Sequence, residues 1–182
     1  MRRRPRYSRN WNSARAGGES LEQLKELLAA LRAAYLTYRT AHWQASGDAY
    51  YGDHLMLQRI YEESEKHIDQ VGERVVGYYG ASAVDLADQT ERVADWSTRF
   101  ARERDPVRAS LVAAEEVRDL LTQTYDMLES QGQLTLGLDD LLMSISNDKD
   151  SHVYLLQQAL SGRKASRARE ANPRLAHWRL TR

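Results

Sequence analysis

The chain has 182 residues, no cysteine, and 26 basic residues balanced by 26 acidic ones, so its formal net charge is zero. One domain of this length buries roughly 70% of its unfolded surface, which is enough for a substantial core. The absence of cysteine excludes disulfides, iron–sulfur clusters and cysteine zinc sites. The arginine-rich start, Met1 to Asn12, has no apolar stretch behind it, and no apolar run is long enough to span a bilayer. We therefore expect a cytoplasmic protein with no membrane partner.

The zero net charge hides a strong segregation along the chain. Residues 1–16 carry six arginines and no acid, and residues 161–182 carry seven basic residues and one acid. We divide the chain into a basic N-terminal arm (1–18), a body (19–162) and a basic C-terminal tail (163–182). Such tails either aid solubility only or bind a polyanion such as nucleic acid. The candidate DNA contacts are Arg2, Arg3, Arg4, Arg6, Arg9, Arg163, Lys164, Arg167 and Arg169.

Two long amphipathic helices are predicted in the first half of the chain. The first runs from about Ser20, a candidate N-cap, to Gln44. Its apolar residues recur at steps of three and four, which places them on one face: Leu21, Leu24, Leu28, Leu31, Tyr35 and Tyr38. The second runs from about Tyr50 to Tyr79. Its predicted core face is Leu57, Ile60, Tyr61, Ser64, Ile68, Val71 and Val75.

The second half predicts one short helix and two long ones. Residues 85–100 form the short amphipathic helix. The third main helix begins at Asp105-Pro106, an N-cap followed by proline in the first turn, and ends before Gly132. The fourth runs from about Leu138 to Leu160, and we expect Gly162 to end it. Four long helices and a short extra helix between the second and third indicate an all-α four-helix bundle.

A set of polar residues borders the apolar face: His42, His54, Gln58, Asp69 and Glu73. On one helix, His54 and Asp69 lie about 22 Å apart, so they do not share a metal ion within one chain. The pairs His54/Glu73 and Gln58/Asp69 have the same midpoint, between residues 63 and 64. An antiparallel copy with a two-fold axis near this midpoint brings His54 level with Glu73 of the partner subunit. The spacing therefore predicts a site shared by two subunits of a homo-oligomer.

The residue types of this set indicate a metal site. Imidazole and carboxylate ligands without thiolate suit iron, manganese or zinc, and open coordination positions suit redox-active iron. The candidate ligands are His42, His54, Asp69 and Glu73, with Gln58 as a weak or outer contributor. Such a site oxidises Fe(II) when oxygen or peroxide reaches it. Glu62 and Glu65 lie on the same helical arc and are candidate nucleation sites for ferric product, although a solvated acidic face explains them equally well.

The sequence resembles the Dps family, the miniferritins of bacteria and archaea. Ala41-His42-Trp43, a short glycine-containing turn, and the pattern His-x11-His-x14-Asp-x3-Glu match the family motif over about residues 20–160. The resemblance implies a ferritin-like four-helix bundle in which the histidines come from one subunit and the Asp and Glu from its two-fold neighbour. It also implies a hollow dodecamer that oxidises Fe(II), with peroxide preferred as oxidant, and stores ferric iron. Many members also bind DNA through basic tails, which implies association with the nucleoid.

One position departs from the family pattern. The family usually has an aspartate four residues after the second histidine, where this chain has Gln58. An amide carbonyl is a much poorer ligand for Fe(II) than a carboxylate. Glu62 lies one turn further along, about 6 Å away by helical rise, so it is not an obvious replacement. We therefore expect a weakened or altered iron site, and an inactive site is the alternative.

Three functions follow from these patterns. The first is a ferroxidase-type oxidoreductase that stores iron, and the alternative is a DNA-binding, architectural shell on the same fold with an inactive metal site. The third is a metal-free helical scaffold.

An intrachain ferritin di-iron centre is not expected, because no histidine follows a glutamate by three positions. His67 and His152 show no partner pattern and are expected in structural or surface roles. Asp139 and Asp140 lie at the start of the fourth helix, where negative charge interacts favourably with the helix dipole. The family resemblance also makes them candidate pore residues.

Overall fold

The computed structural model describes residues 14–170, with side chains described for residues 17–163. This range folds into five α-helices without a strand: α1 (Ala14–Gln44), α2 (Tyr50–Tyr79), α3 (Leu86–Phe100), α4 (Pro106–Ser130) and α5 (Leu136–Glu170). One 3₁₀ turn, Ala81–Ala83, precedes α3. The prediction of an all-α bundle with a short helix between the second and third long helices is confirmed. None of the described helices combines the length and apolar character needed to cross a membrane.

The four long helices enclose one apolar core. α1 packs against α2 and α4, and α4 packs against α5, while the short α3 lies along α1. Four alanines of α1 are fully buried, and their small side chains allow close approach of neighbouring helices: Ala29, Ala30, Ala33 and Ala34. The predicted stripes face this core, since Leu24, Leu31, Leu57, Ile60 and Val75 are at most 1% exposed.

Local signals set the start and end of α4 as predicted. The side chain of Asp105 accepts hydrogen bonds from the backbone N–H groups of Val107 and Arg108, both at 3.0 Å. Pro106 occupies the first turn, where the missing N–H costs nothing. Gly132 has φ of 65°, a left-handed conformation that glycine adopts without steric penalty, and the helix ends just before it.

Two predicted helix ends are wrong. α1 begins at Ala14, so Ser20 is not its N-cap; Ser20 lies buried inside the helix and its hydroxyl donates to the side chain of Gln131. α5 does not end at Gly162 but continues to Glu170. Gly162 does not take the left-handed conformation of a terminating glycine. The next residue, Arg163, is held by ion pairs to the bundle, which favours continuation of the helix.

Candidate metal site

His42 and His54 form a tightly packed pair where the end of α1 meets the start of α2. The two rings stack with their centroids 3.7 Å apart. Nδ1 of His42 donates to the backbone carbonyl of His54 at 2.9 Å, and Nδ1 of His54 donates to the carbonyl of His42 at 3.2 Å. A carbonyl only accepts, so both rings carry their proton on Nδ1 and present the lone pair of Nε2. This arrangement leaves both Nε2 atoms available to a metal ion, and it brings together the two histidines that the sequence marks as candidate ligands.

Aromatic side chains surround the pair. The ring of Tyr61 meets His42 edge-on with centroids 5.3 Å apart, and the ring of Tyr50 lies 5.2 Å from His54. The Arg39 guanidinium lies 5.7 Å from the ring centre of Tyr61 and 5.6 Å from that of Trp43. Sequence reasoning missed Arg39 and Tyr50, because helical periodicity marks both only as surface positions.

Gln58 lies one turn beyond His54 on α2, and its side-chain amide forms a hydrogen bond. Its Nε2 donates to the Glu62 carboxylate at 2.8 Å, which leaves the amide oxygen of Gln58 as its available metal ligand. Both Glu62 and Glu65 are exposed to solvent in the single chain. Gln58 and Glu62 therefore present one neutral oxygen and one exposed carboxylate on the turns of α2 that follow His54.

Asp69 and Glu73 lie elsewhere on the same helix. α2 is continuous from Tyr50 to Tyr79, so Asp69 is about 22 Å from His54 by helical rise. Both acids are exposed and line a shallow groove of about 330 Å³ together with apolar residues. Its other walls are Leu28, Arg32, Ile68, Gly72, Val84, Leu86 and Gln89. Among the described residues, no three His, Asp or Glu side chains of one chain converge on a common point.

The remaining predicted residues are spread over other surfaces. Asp139 lies in the first turn of α5 and Asp140 follows it directly; the carboxylate of Asp139 raises the pKa of Tyr125. Arg163, a predicted DNA contact, is ion-paired with Asp53 and, at 3.1 Å, with Asp105. Arg2, Arg3, Arg4, Arg6 and Arg9 lie outside the described residues, as do the side chains of Lys164, Arg167 and Arg169.

Two histidines that show no sequence pattern are buried. His67 is 5% exposed and donates from Nε2 to Asp148 at 2.9 Å. His152 is 1% exposed and donates from Nε2 to Glu63 at 2.7 Å. The expected structural role fits their burial, whereas their carboxylate partners were missed. Those partners lie on another helix, far away in sequence, so spacing along one helix carries no signal for them.

Comparison with known proteins places this architecture in a family. Residues 21–164 match the ferritin-like domain. A nutrient stress-induced DNA-binding protein of Nostoc sp. is 29% identical over 118 residues, which is 61% of this chain and 61% of that protein. The chain therefore spans about three fifths of that relative's length. A DNA protection during starvation protein of Agrobacterium fabrum is 24% identical over 136 residues, covering 74% of this chain and 83% of that protein.

The fold is also similar to those of solved structures. Dps from Thermosynechococcus elongatus superposes with a TM-score of 0.67 at 20% identity, covering 80% of this chain and 92% of that one. At this identity the likeness concerns the fold. The family match extends over most of the described residues, including both histidines and both acids of α2. The chain belongs to the ferritin-like domain family, and its resemblance to Dps proteins is confirmed.

Proposed function

We propose that the protein is a Dps-like miniferritin that oxidises Fe(II) at sites shared by two subunits and stores the ferric product in a hollow oligomer. The observation that carries this proposal is the histidine pair. Two stacked imidazoles, each locked by the other's backbone carbonyl, present two Nε2 lone pairs at one place. A purely structural pair gains nothing from leaving both Nε2 atoms free, whereas a metal ion requires them.

The position of the acids supports a contribution from the partner subunit. Asp69 and Glu73 are exposed in a groove with apolar walls, a surface suited to burial against another chain. A straight α2 places His54 and Glu73 at equal distances on either side of the point between residues 63 and 64. A two-fold axis there pairs the histidines of one copy with Asp69 and Glu73 of the partner subunit. The family resemblance extends this proposal from the two-fold pair to a dodecamer of the Dps type.

Iron acts as substrate in this scheme. Each Fe(II) bound by His42, His54, Asp69 and Glu73 gives up one electron. Hydrogen peroxide takes two electrons and two protons as its O–O bond breaks and two water molecules form, and oxygen serves as the slower oxidant. The neutral oxygen of Gln58 holds a second iron weakly. Exposed carboxylates at Glu62 and Glu65 then receive ferric ions, and Asp139 and Asp140 line the route by which Fe(II) enters.

Stoichiometric Fe(II) addition to the metal-stripped oligomer tests the proposal. Ferric absorbance is followed after peroxide and, separately, after air. We expect fast oxidation in the wild type and loss of it in the combined His54→Ala/Glu73→Ala variant, whose oligomeric state is checked by light scattering. An intact oligomer that oxidises Fe(II) no faster than this variant contradicts the proposal.

DNA binding is a second candidate function, which the relatives' names and the charge segregation favour. The basic arm and tail would contact phosphates, and the protein would then associate with the nucleoid in the cytoplasm. Removal of residues 1–12 and 164–182 leaves Arg163 and its ion pairs in place. We expect this variant to lose the gel shift of duplex DNA, and wild-type affinity to fall steeply with salt.

The two measurements together separate the alternatives. A gel shift without iron oxidation identifies a DNA-binding, architectural shell whose metal site Gln58 has disabled. Iron oxidation without a gel shift identifies a storage protein whose tails serve solubility. If neither activity is found and metal leaves the thermal stability unchanged, the protein is a helical scaffold.

A further inference from the structure

A group of polar side chains lies in the middle of the bundle, away from the histidine pair. It comprises Tyr38 of α1, Ser64 and His67 of α2, and Lys149 and His152 of α5, all at most 5% exposed; we call it the central polar cluster. Lys149 is 0% exposed. A fully buried lysine is rare in proteins, because removing an ammonium ion from water is costly.

The hydrogen bonds of Lys149 form a chain that leads to the surface. Its Nζ donates to the hydroxyl of Ser64 at 3.0 Å and lies 3.5 Å from Nδ1 of His152. Nε2 of His152 donates to the carboxylate of Glu63, so Nδ1 of the neutral ring is free to accept from Lys149. The Glu63 side chain is 28% exposed. The chain therefore connects a buried amine to a solvent-accessible carboxylate through one imidazole.

The charges that face Lys149 do not pair with it directly. Its hydrogen-bond partners are a hydroxyl and an imidazole, and the ring centre of Tyr38 lies 5.5 Å from Nζ. The carboxylates of Glu63 and Asp148 stand behind His152 and His67. α4, which the structure describes in full, buries only uncharged side chains.

This environment disfavours charge inside the cluster. Burial lowers the pKa of Lys149 to about 7, although Asp148 and Glu63 oppose the shift. Burial and the neighbouring Lys149 lower the pKa of His152 to about 4. Burial also raises the pKa of Tyr38, so its hydroxyl stays neutral. Burial and the neighbouring Lys149 also lower the pKa of His67. Near neutral pH, Lys149 is then the group of the cluster that gains and loses a proton.

We propose that Lys149 is a proton-binding site inside the bundle, connected to solvent through His152 and Glu63. When Lys149 releases its proton, the proton passes to Nδ1 of His152 while Nε2 gives its own proton to Glu63. The imidazole stays neutral overall, and Glu63 delivers the proton to water. Uptake follows the same steps in reverse. This role is independent of iron and of the proposed oxidation site.

Lysine NMR of the intact protein tests the binding site. The chain contains four lysines, Lys25, Lys66, Lys149 and Lys164, so lysine labelled with 13C at Cε in a deuterated background gives four resolvable signals. The signal missing from Lys149→Met identifies Lys149. We expect it to titrate with a midpoint near pH 7, while the exposed Lys66 does not titrate there. A Lys149 signal that stays unchanged from pH 6 to pH 9 overturns the proposal.

The pH dependence of the folding stability is a second measurement, and it needs no assignment of NMR signals. The unfolded chain keeps a lysine protonated up to its ordinary pKa of 10.5, whereas folded Lys149 loses its proton above about 7. Wild-type stability relative to Lys149→Met should therefore rise between pH 7 and pH 9. At most, the unfolding equilibrium constant of the wild type relative to that of Lys149→Met changes tenfold per pH unit. A constant difference over this window contradicts the binding site. If Lys149→Met does not fold, the wild-type NMR titration alone decides.

The connection to solvent has its own test. Glu63→Gln keeps an oxygen that accepts from His152 but does not take up a proton, and Glu91→Gln on the exposed face of α3 is the matched control. Near its midpoint, the Lys149 signal should be one averaged line in the wild type and the control. In Glu63→Gln it should broaden or split, because exchange between the two forms slows. Unchanged exchange in Glu63→Gln shows that the proton takes another route.

Discussion

Gln58 is the one residue of the proposed iron site that departs from the family pattern. A neutral amide oxygen stands one turn beyond His54, and its amide nitrogen is bound to Glu62. A carboxylate at this position attracts a divalent cation both as a ligand and as a charge. The site that we propose would therefore hold a second iron only weakly.

We expect Gln58→Asp to raise the rate of Fe(II) oxidation by roughly tenfold or more, which corresponds to about 1.4 kcal/mol of transition-state stabilisation. The initial rate of ferric absorbance after peroxide addition measures the change. Gln123→Asp makes the same substitution at an exposed position of α4 and should leave the rate unaltered. An unchanged rate in Gln58→Asp, together with a loss in His54→Ala, means that Gln58 does not limit the reaction.

His152 makes the protein sensitive to acid. Its folded pKa is lowered to about 4 from an ordinary value of 6.5, so between these values the unfolded chain binds a proton that the folded chain does not. Stability is therefore lost as the pH falls from 6.5 towards 4. We expect the urea midpoint to decrease over this range, and the decrease to be smaller in His152→Gln. Equal pH dependence in the two proteins excludes His152 as a source of the acid sensitivity.

At the scale of helices, Asp105 has two functions, and Asp85 shares only one of them. Both cap a helix N-terminus, Asp105 for α4 and Asp85 for α3. Asp105 also accepts an ion pair from Arg163, which lies where α5 extends beyond the predicted end of the bundle. Arg163 in addition contacts the buried Asp53 at the start of α2. This contact joins the C-terminal part of α5 to the start of α2.

Replacement of each capping aspartate by alanine separates helix capping from the ion pair to Arg163. Asp85→Ala should cost about 1 kcal/mol of stability, the usual value for a lost N-cap. Asp105→Ala should cost about 1 kcal/mol for the cap and up to ~1 kcal/mol more for the partly exposed ion pair. Denaturant unfolding measures both values. In the background Arg163→Ala, the extra cost of Asp105→Ala should disappear; if it remains, the ion pair is not its origin.

At the scale of the whole molecule, the iron site of our proposal forms only where two subunits meet. His54 lies on the same rigid helix as Asp69 and Glu73, at a separation that a single ion does not bridge. Under the proposed function, assembly therefore decides activity. A folded subunit that does not dimerise should bind Fe(II) only through two imidazoles and should not oxidise it efficiently.

Mixed oligomers test this directly. One variant carries His42→Ala/His54→Ala, and the other carries Asp69→Ala/Glu73→Ala; each alone should be inactive. In a mixed two-fold pair, one of the two sites combines wild-type histidines with wild-type acids. Random pairing therefore restores about a quarter of the wild-type sites. Co-expression and an iron oxidation assay measure the recovery. No recovery in mixed oligomers of normal size contradicts a site shared in this way.

The sequence determined the helices and the histidine pair. Periodic leucines, the Asp105-Pro106 start and the left-handed Gly132 are local signals, so four long helices and the short one lie close to where they were predicted. His42 and His54 flank one short turn, so a hairpin of α1 and α2 places their backbones near each other. The symmetric spacing along α2 also follows from sequence alone, because one helix has a fixed rise.

Tertiary structure decided what depends on contacts between distant segments. Ser20 has the residue type of an N-cap but is buried against Gln131, and Gly162 has the residue type of a helix end but lies before the ion-paired Arg163. The central polar cluster joins positions 85 residues apart, such as Ser64 and Lys149, so neither helix alone predicts it. Its burial, and with it the lowered pKa of Lys149, arises only when α1, α2 and α5 enclose the amine and exclude water.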